Sequence, residues 1–201
     1  METAVEDGVD GVLIATLDAG ESLLAAAGAL VDHTGGLRVE RAREGVLRTV
    51  ANAARKREQT PVRVTAERET TARFAPEHHG ELVACEVGER RVAAARTAFL
   101  AATDGVRVGA DRVGNAPDRG HGLFLTTLSG AGTVFLASRG RVERVDVADG
   151  EGRVVSADHV VAFDSRADVS VERISALEDA TATCRIGGPG TVWVGTRRRP
   201  R

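Results

Sequence analysis

The chain has 201 residues, 42% of them hydrophobic and 28% charged, with a formal net charge of −2 at pH 7. That length buries a sizeable core without disulfide or metal staples. The near-neutral charge excludes a global field that would steer the protein to nucleic acid or to an anionic membrane. Aromatic residues make up only 3%, with one Trp and no Tyr, so the expected core is Val, Leu, Ala and Ile.

Residues 1–11 are acidic and read as an N-terminal tail. They lack the basic start and apolar run of a secretory signal. No apolar run anywhere approaches the roughly 18 residues that span a bilayer. The expectation is a cytoplasmic protein. Most of the chain's 23 glycines lie beyond residue 12, where they punctuate short Val-rich runs, the spacing of an all-β sandwich or barrel.

Two early stretches, Ser22 to Val31 and Glu89 to Ala102, are rich in Ala and Leu, which favours helix locally. Repetition favours strand. Leu17-Asp18-Ala19-Gly20-Glu21 leads to Gly28-Ala29-Leu30-Val31-Asp32. Val87-Gly88-Glu89 leads to Thr97-Ala98-Phe99-Leu100-Ala101, and Val147-Ala148-Asp149-Gly150-Glu151 leads to His159-Val160-Val161-Ala162-Phe163. Each is followed by a short strand-like piece: Leu37 to Val39, Val106 to Val108, Val169 to Val171. Such repetition marks one supersecondary unit used several times.

One segment reads as a helix, around residues 44–58. Val46, Leu47, Val50, Ala51 and Ala54 form a stripe, with Arg48, Arg55, Lys56 and Arg57 largely off it. Beyond Pro61, Val62 to Ala66 alternates with period two. Thr133 to Ala137 is a continuous apolar run, as in a strand covered on both faces. Val142, Val145 and Val147, then Val169 and Val171, and finally Thr191-Val192-Trp193-Val194 complete the strands. Gly130-Ala131-Gly132-Thr133-Val134-Phe135-Leu136 resembles Gly188-Pro189-Gly190-Thr191-Val192-Trp193-Val194. The expected organisation is one domain over 12–196, made of about three related β units (12–60, 61–120 and 121–196), with a basic tail at 197–201.

In these residues the chain resembles the altered-inheritance-of-mitochondria protein 24 family, in the superfamily similar to the tryptophan RNA-binding attenuation protein. The resemblance rests on Leu17, Gly20 and Glu21 with Gly28 to Val31, and on Gly130, Gly132 and the strand to Leu136 with Gly140. It rests also on Asp158 to Phe163, and on Gly188, Pro189, Gly190 and Trp193. It covers residues 12 to 196. It implies a repeated, shortened double-stranded β-helix that assembles into closed oligomers, and links eukaryotic members to mitochondrial membrane organisation. The family supplies no catalytic residue to carry over. This chain departs from the family pattern around Lys56 and at Glu67 to Thr71.

The candidate chemistry is sparse. Glu77, His78 and His79 contain metal-ligand types, but neighbours on a strand point to opposite faces and no third His or Cys is near. A polar turn is the expectation. Ser156, Asp158 and His159 hold the letters of a nucleophilic triad, without a Gly-x-Ser-x-Gly elbow and too close together on one strand. His159 is expected to be partly buried with a hydrogen bond. The glycines at 130 and 132, and at 187, 188 and 190, precede strands rather than helices, so they read as turns supplying positive φ rather than as phosphate loops. Cys85 and Cys184 are neither a disulfide framework nor a metal pair; Cys184 shares a strand face with Ala182 and Ile186. For the Arg197 to Arg201 tail, the stacking aromatics that would accompany nucleic-acid binding are scarce.

These observations give no catalytic, cofactor-binding or metal residue. The expectation is a non-enzymatic, homo-oligomeric scaffold or interaction protein, working with a protein or membrane-associated complex. A small-ligand-binding protein with sites between units or subunits is the alternative, and RNA binding through Arg-rich edges a further one.

Overall fold

Alternation of apolar and polar residues along short segments, broken by glycine turns, dictates strands. The computed structural model contains antiparallel β-strands with two single 3-10 turns at Arg96–Ala98 and Ala157–His159. The structure describes residues 1–6, 8–42, 61–113, 123–173 and 182–198. The helix expected around residues 44–58 lies outside them. No helix among the described residues is long and apolar enough to cross a membrane.

The first strand, β1 (Glu2–Glu6), falls where the sequence reads as a tail. It pairs with β2 along its full length, Glu2 opposite Thr16 and Glu6 opposite Val12. Thr3 and Val5 are half-buried while Glu2, Ala4 and Glu6 stay exposed. The acidic residues that look like a tail form the solvent face of an edge strand.

Among the described residues, the remaining eighteen strands fall into three sets of six. The first is β2 (Val12–Leu17), β3 (Ser22–Ala25), β4 (Leu30–His33), β5 (Leu37–Arg41), β6 (Val62–Ala66) and β7 (Thr70–Phe74). The second is β8 (Leu82–Val87), β9 (Val92–Ala95), β10 (Phe99–Thr103), β11 (Val106–Val113), β12 (Leu123–Gly130) and β13 (Gly132–Ala137). The third is β14 (Val142–Val147), β15 (Gly152–Ser156), β16 (Val160–Asp164), β17 (Asp168–Arg173), β18 (Ala182–Gly187) and β19 (Gly190–Gly195).

Hydrogen bonding is the same in every set. The sixth strand lies between the first and third, and the fifth lies between the second and fourth. Each set therefore makes two small three-stranded sheets. The fourth and fifth strands are joined by residues 42–61, 114–122 and 174–181 respectively. The Gly-Glu pairs at 20–21, 88–89 and 150–151 sit in the turn between the first and second strands. Hydrogen bonding places β6 and β7, residues 62–74, with the strands that precede residue 60.

The sets are fused by seams. Strand β10 pairs with β3, and β16 with β9, so two six-stranded sheets each span two sets. Leu24, Ala102, Leu128, Val134 and Leu136 pack on one side of the first seam, and Leu23, Ala25, Val64, Ala101 and Phe135 on the other. Val134, Phe135 and Leu136 on β13 are all buried, as a continuous apolar run requires. A third cluster, with Leu125, Val160, Phe163, Cys184 and Ile186, fills the last set.

Candidate functional site

The seams show how this chain joins one β set to another. At each, the third strand of a set meets the second strand of the set before it. Ala101 faces Ala25, Ala102 faces Leu24 and Thr103 faces Leu23. At the next seam Ala162 faces Ala94, Phe163 faces Ala93 and Asp164 faces Val92. Small residues let both faces of these sheets be covered, and Ala25, Ala94, Ala101, Ala102 and Ala162 have no exposed surface.

Three sets need a third strand and a second strand at their ends, and these are left over. Strand β4, the third of the first set, is the edge of the sheet β1-β2-β7-β4. Strand β15, the second of the last set, is the edge of the sheet β15-β18-β17. Each edge carries an exposed valine, Val31 on β4 and Val154 on β15, both at 56%. An edge presents unpaired backbone donors and acceptors, a template for another strand. Beside Val31, the Asp32 carboxylate accepts from Arg73 Nε at 2.9 Å and from a second guanidinium N–H. That hydrogen bonding holds the Asp32 carboxyl below the usual carboxylate range.

The residue groups singled out from the sequence are split up, and His78 of one lines the same cleft as Asp158 and His159 of the other. His79 shares a 2.6 Å hydrogen bond with the Asp10 carboxylate. His78 turns instead into a small cleft with Ser138, Arg139, His159 and Arg197. Its pKa is lowered, first by burial and then by the Arg139 charge. Among the described residues, no three His, Cys, Asp or Glu side chains group as metal ligands. Ser156 lies on β15, opposite Thr183. The Asp158 carboxylate accepts from Arg198 Nε at 3.0 Å, and the His159 Nδ1–H donates to the Gly195 carbonyl at 2.8 Å. Arg197 and Arg198 are tied to the framework, the former through its N–H to the Arg139 carbonyl at 3.1 Å; residues 199–201 lie outside the described set.

Cys184 is fully buried and Cys85 is 4% exposed. Burial pushes the Cys85 thiol up to about 12. Gly130 and Gly132 do adopt positive φ, +106° and +145°. Gly188 does not: a Cβ there would lie 2.1 Å from the Ala148 carbonyl oxygen. In the second run Gly188 is required by close backbone approach, and neither Gly187 nor Gly190 adopts a positive φ.

The mitochondrial biogenesis AIM24 family profile matches residues 5–197. The chain belongs to the AIM24 family. A search of curated proteins gives no match. Among solved structures the chain is similar to protein SPYM3_0169 from Streptococcus pyogenes, with a TM-score of 0.80 and 19% identity. That similarity covers 98% of this chain and 94% of the other, and it establishes the fold.

Within this AIM24-family chain the free edges are the feature that reading for motifs passes over. The signal is present in the sequence. A bulge follows Leu30, Phe99 and Val160 in the three third strands, which aligns Val31-Asp32-His33 with Leu100-Ala101-Ala102 and Val161-Ala162-Phe163. Only the first of these blocks is polar, and it alone of the three has a strand on one side only, β7.

Proposed function

We propose that this AIM24-family protein is a non-enzymatic, cytoplasmic scaffold that works as a closed oligomer of identical chains. The observation that carries this is that β4 and β15, two of the edge strands, are a third strand and a second strand, the same two kinds that the inner seams of the chain join. Exposed valines on both edges add apolar surface that association removes from water. The stretches with nucleophile and ligand letters are engaged in structural contacts, which supports a binding rather than a chemical role. The partner of such a scaffold is a protein or membrane-associated complex.

Native mass spectrometry of untagged protein from its own host tests this. A single oligomer of bare chains is expected. A monomer at micromolar concentration overturns the reading.

A second reading has one observation behind it. In the cleft of about 20 Å³ lined by His78, Arg139, His159 and Arg197, the buried Arg139 Nε has no hydrogen-bond partner. A buried guanidinium N–H without an acceptor invites one. The cleft has room for a single water-sized species, so the small-ligand alternative takes the form of a small anion. A constant added mass per chain in the same spectrum would favour it.

A further inference from the structure

We propose that β15 of one copy of this chain adds antiparallel to β4 of the next, with Asp32 opposite Val155, His33 opposite Val154 and Thr34 opposite Arg153. This rests on the self-assembly reading above and specifies its interface.

The register comes from the two seams inside the chain. The bulges align Asp32 with Ala101 and Ala162, and His33 with Ala102 and Phe163. On the other side, Leu23, Val92 and Arg153 face Val64, Leu128 and Ile186 on the fifth strands, all three of which are buried. Leu24, Ala93 and Val154 are then equivalent. Since Ala102 faces Leu24 and Phe163 faces Ala93, His33 faces Val154.

The direction of the backbone groups gives an independent check. Bonded and non-bonded pairs alternate along an antiparallel ladder. The Gly188 N–H donates to the Glu151 carbonyl at 3.0 Å, so Arg153–Ile186 is a bonded pair and Val154–Arg185 is not. The N–H and C=O of Val154 therefore point away from β18. The Thr34 N–H donates to the Thr71 carbonyl at 3.0 Å, so His33–Ala72 is non-bonded and His33 points its N–H and C=O away from β7. The proposed register brings these two outward-pointing residues together as a bonded pair. A slip of one residue would face an outward group with an inward one. The inner seam has the same phase: the Ala26 N–H donates to the Leu100 carbonyl at 2.7 Å, which makes Ala102–Leu24 a bonded pair.

The occupant is a second copy because the chain already contains this interface twice. Each copy offers β15 at one end and accepts at β4, a head-to-tail contact that closes into a ring when its rotation permits. Asp32, His33 and Arg153 make this seam more polar than the alanine-lined inner ones. Asp32 brings its counter-charge, Arg73, on its own chain.

The test is a Thr34→Cys/Arg153→Cys double variant of the full chain, oxidised at micromolar concentration. This pair is non-bonded, where cross-strand side chains approach most closely and a disulfide fits best. The expected result is a ladder of reducible covalent multimers on a denaturing gel. It should be absent from either single variant and about tenfold weaker in the off-register Thr34→Cys/Val154→Cys variant. Val154→Pro removes an N–H that the chain's own sheet does not use. It should keep the wild-type β signature in circular dichroism, lose the concentration dependence of the melting temperature that association gives the wild type, and turn the oligomer into monomer in native mass spectrometry. If the proline variant fails to fold, the crosslink decides alone. An oligomer with no Thr34–Arg153 crosslink, or crosslinks only to a different protein, overturns this interface and leaves self-assembly standing. A wild-type monomer overturns both.

Discussion

Ala162 lies directly opposite Ala94 across the seam between the second and third strand sets, and neither side chain keeps any exposed surface. The equivalent pair at the first seam is also alanine on alanine, Ala101 opposite Ala25. Small side chains are needed here because both faces of the sheet are covered. Ala162→Leu is expected to overpack the seam and destabilise the fold by about 1–3 kcal/mol. Urea unfolding, with unchanged m-value, measures it.

Two glycines separate handedness from close approach. Gly20 has φ +87° with nothing within 4 Å of an added Cβ, so Gly20→Ala should cost about 1–2 kcal/mol, the strain of a left-handed residue. At Gly80 a Cβ would lie 1.9 Å from the Ser138 carbonyl oxygen. That glycine bridges both Asp10 and Gly140, where the strand sets begin. Gly80→Ala should cost more than Gly20→Ala, since backbone has to move. A thermal melt of the two variants side by side gives the order.

The cysteines give a third expectation. A thiol raised to about 12 by burial holds almost no thiolate near neutral pH, and Cys184 is inside the third cluster. Native protein at pH 8 should therefore react with a thiol reagent at neither cysteine on the timescale in which both react in denaturant. Rapid labelling of Cys85 in the native state would contradict the burial described for β8.

His78 sets a pH dependence. Its pKa is lowered in the folded state, so between that lowered value and the unfolded value near 6.5 the unfolded chain binds more protons. Stability attributable to His78 is full above the unfolded pKa and is lost as pH falls through this window. His78→Asn should flatten the slope of melting temperature against pH there. An unchanged slope would assign the dependence to other groups.

Much of this architecture is written in local pattern. The alternation at Val62 to Ala66 and the apolar run at Thr133 to Ala137 coincide with β6 and β13. The helix-prone stretches Ser22 to Val31 and Glu89 to Ala102 form strands because Leu23, Leu24, Ala93 and Ala94 are held in seams, where tertiary burial overrides propensity. What stays illegible is long-range. Nothing local states that Thr70 to Phe74 pairs back with Val12 to Leu17 across 53 or more residues, nor that β4 and β15 end the chain's sheets. Glu2 to Glu6 is missed because its short alternation is masked by its charge.

The connection from fourth to fifth strand recurs at residues 42–61, 114–122 and 174–181, and it differs in length each time while every ladder around it is preserved. Changing the length of a hairpin connection costs loop-closure entropy, which grows only slowly with length. The strand pattern thus accommodates connections of different length at these three places, which makes them the expected positions for splicing in an epitope or fluorophore without altering strand register.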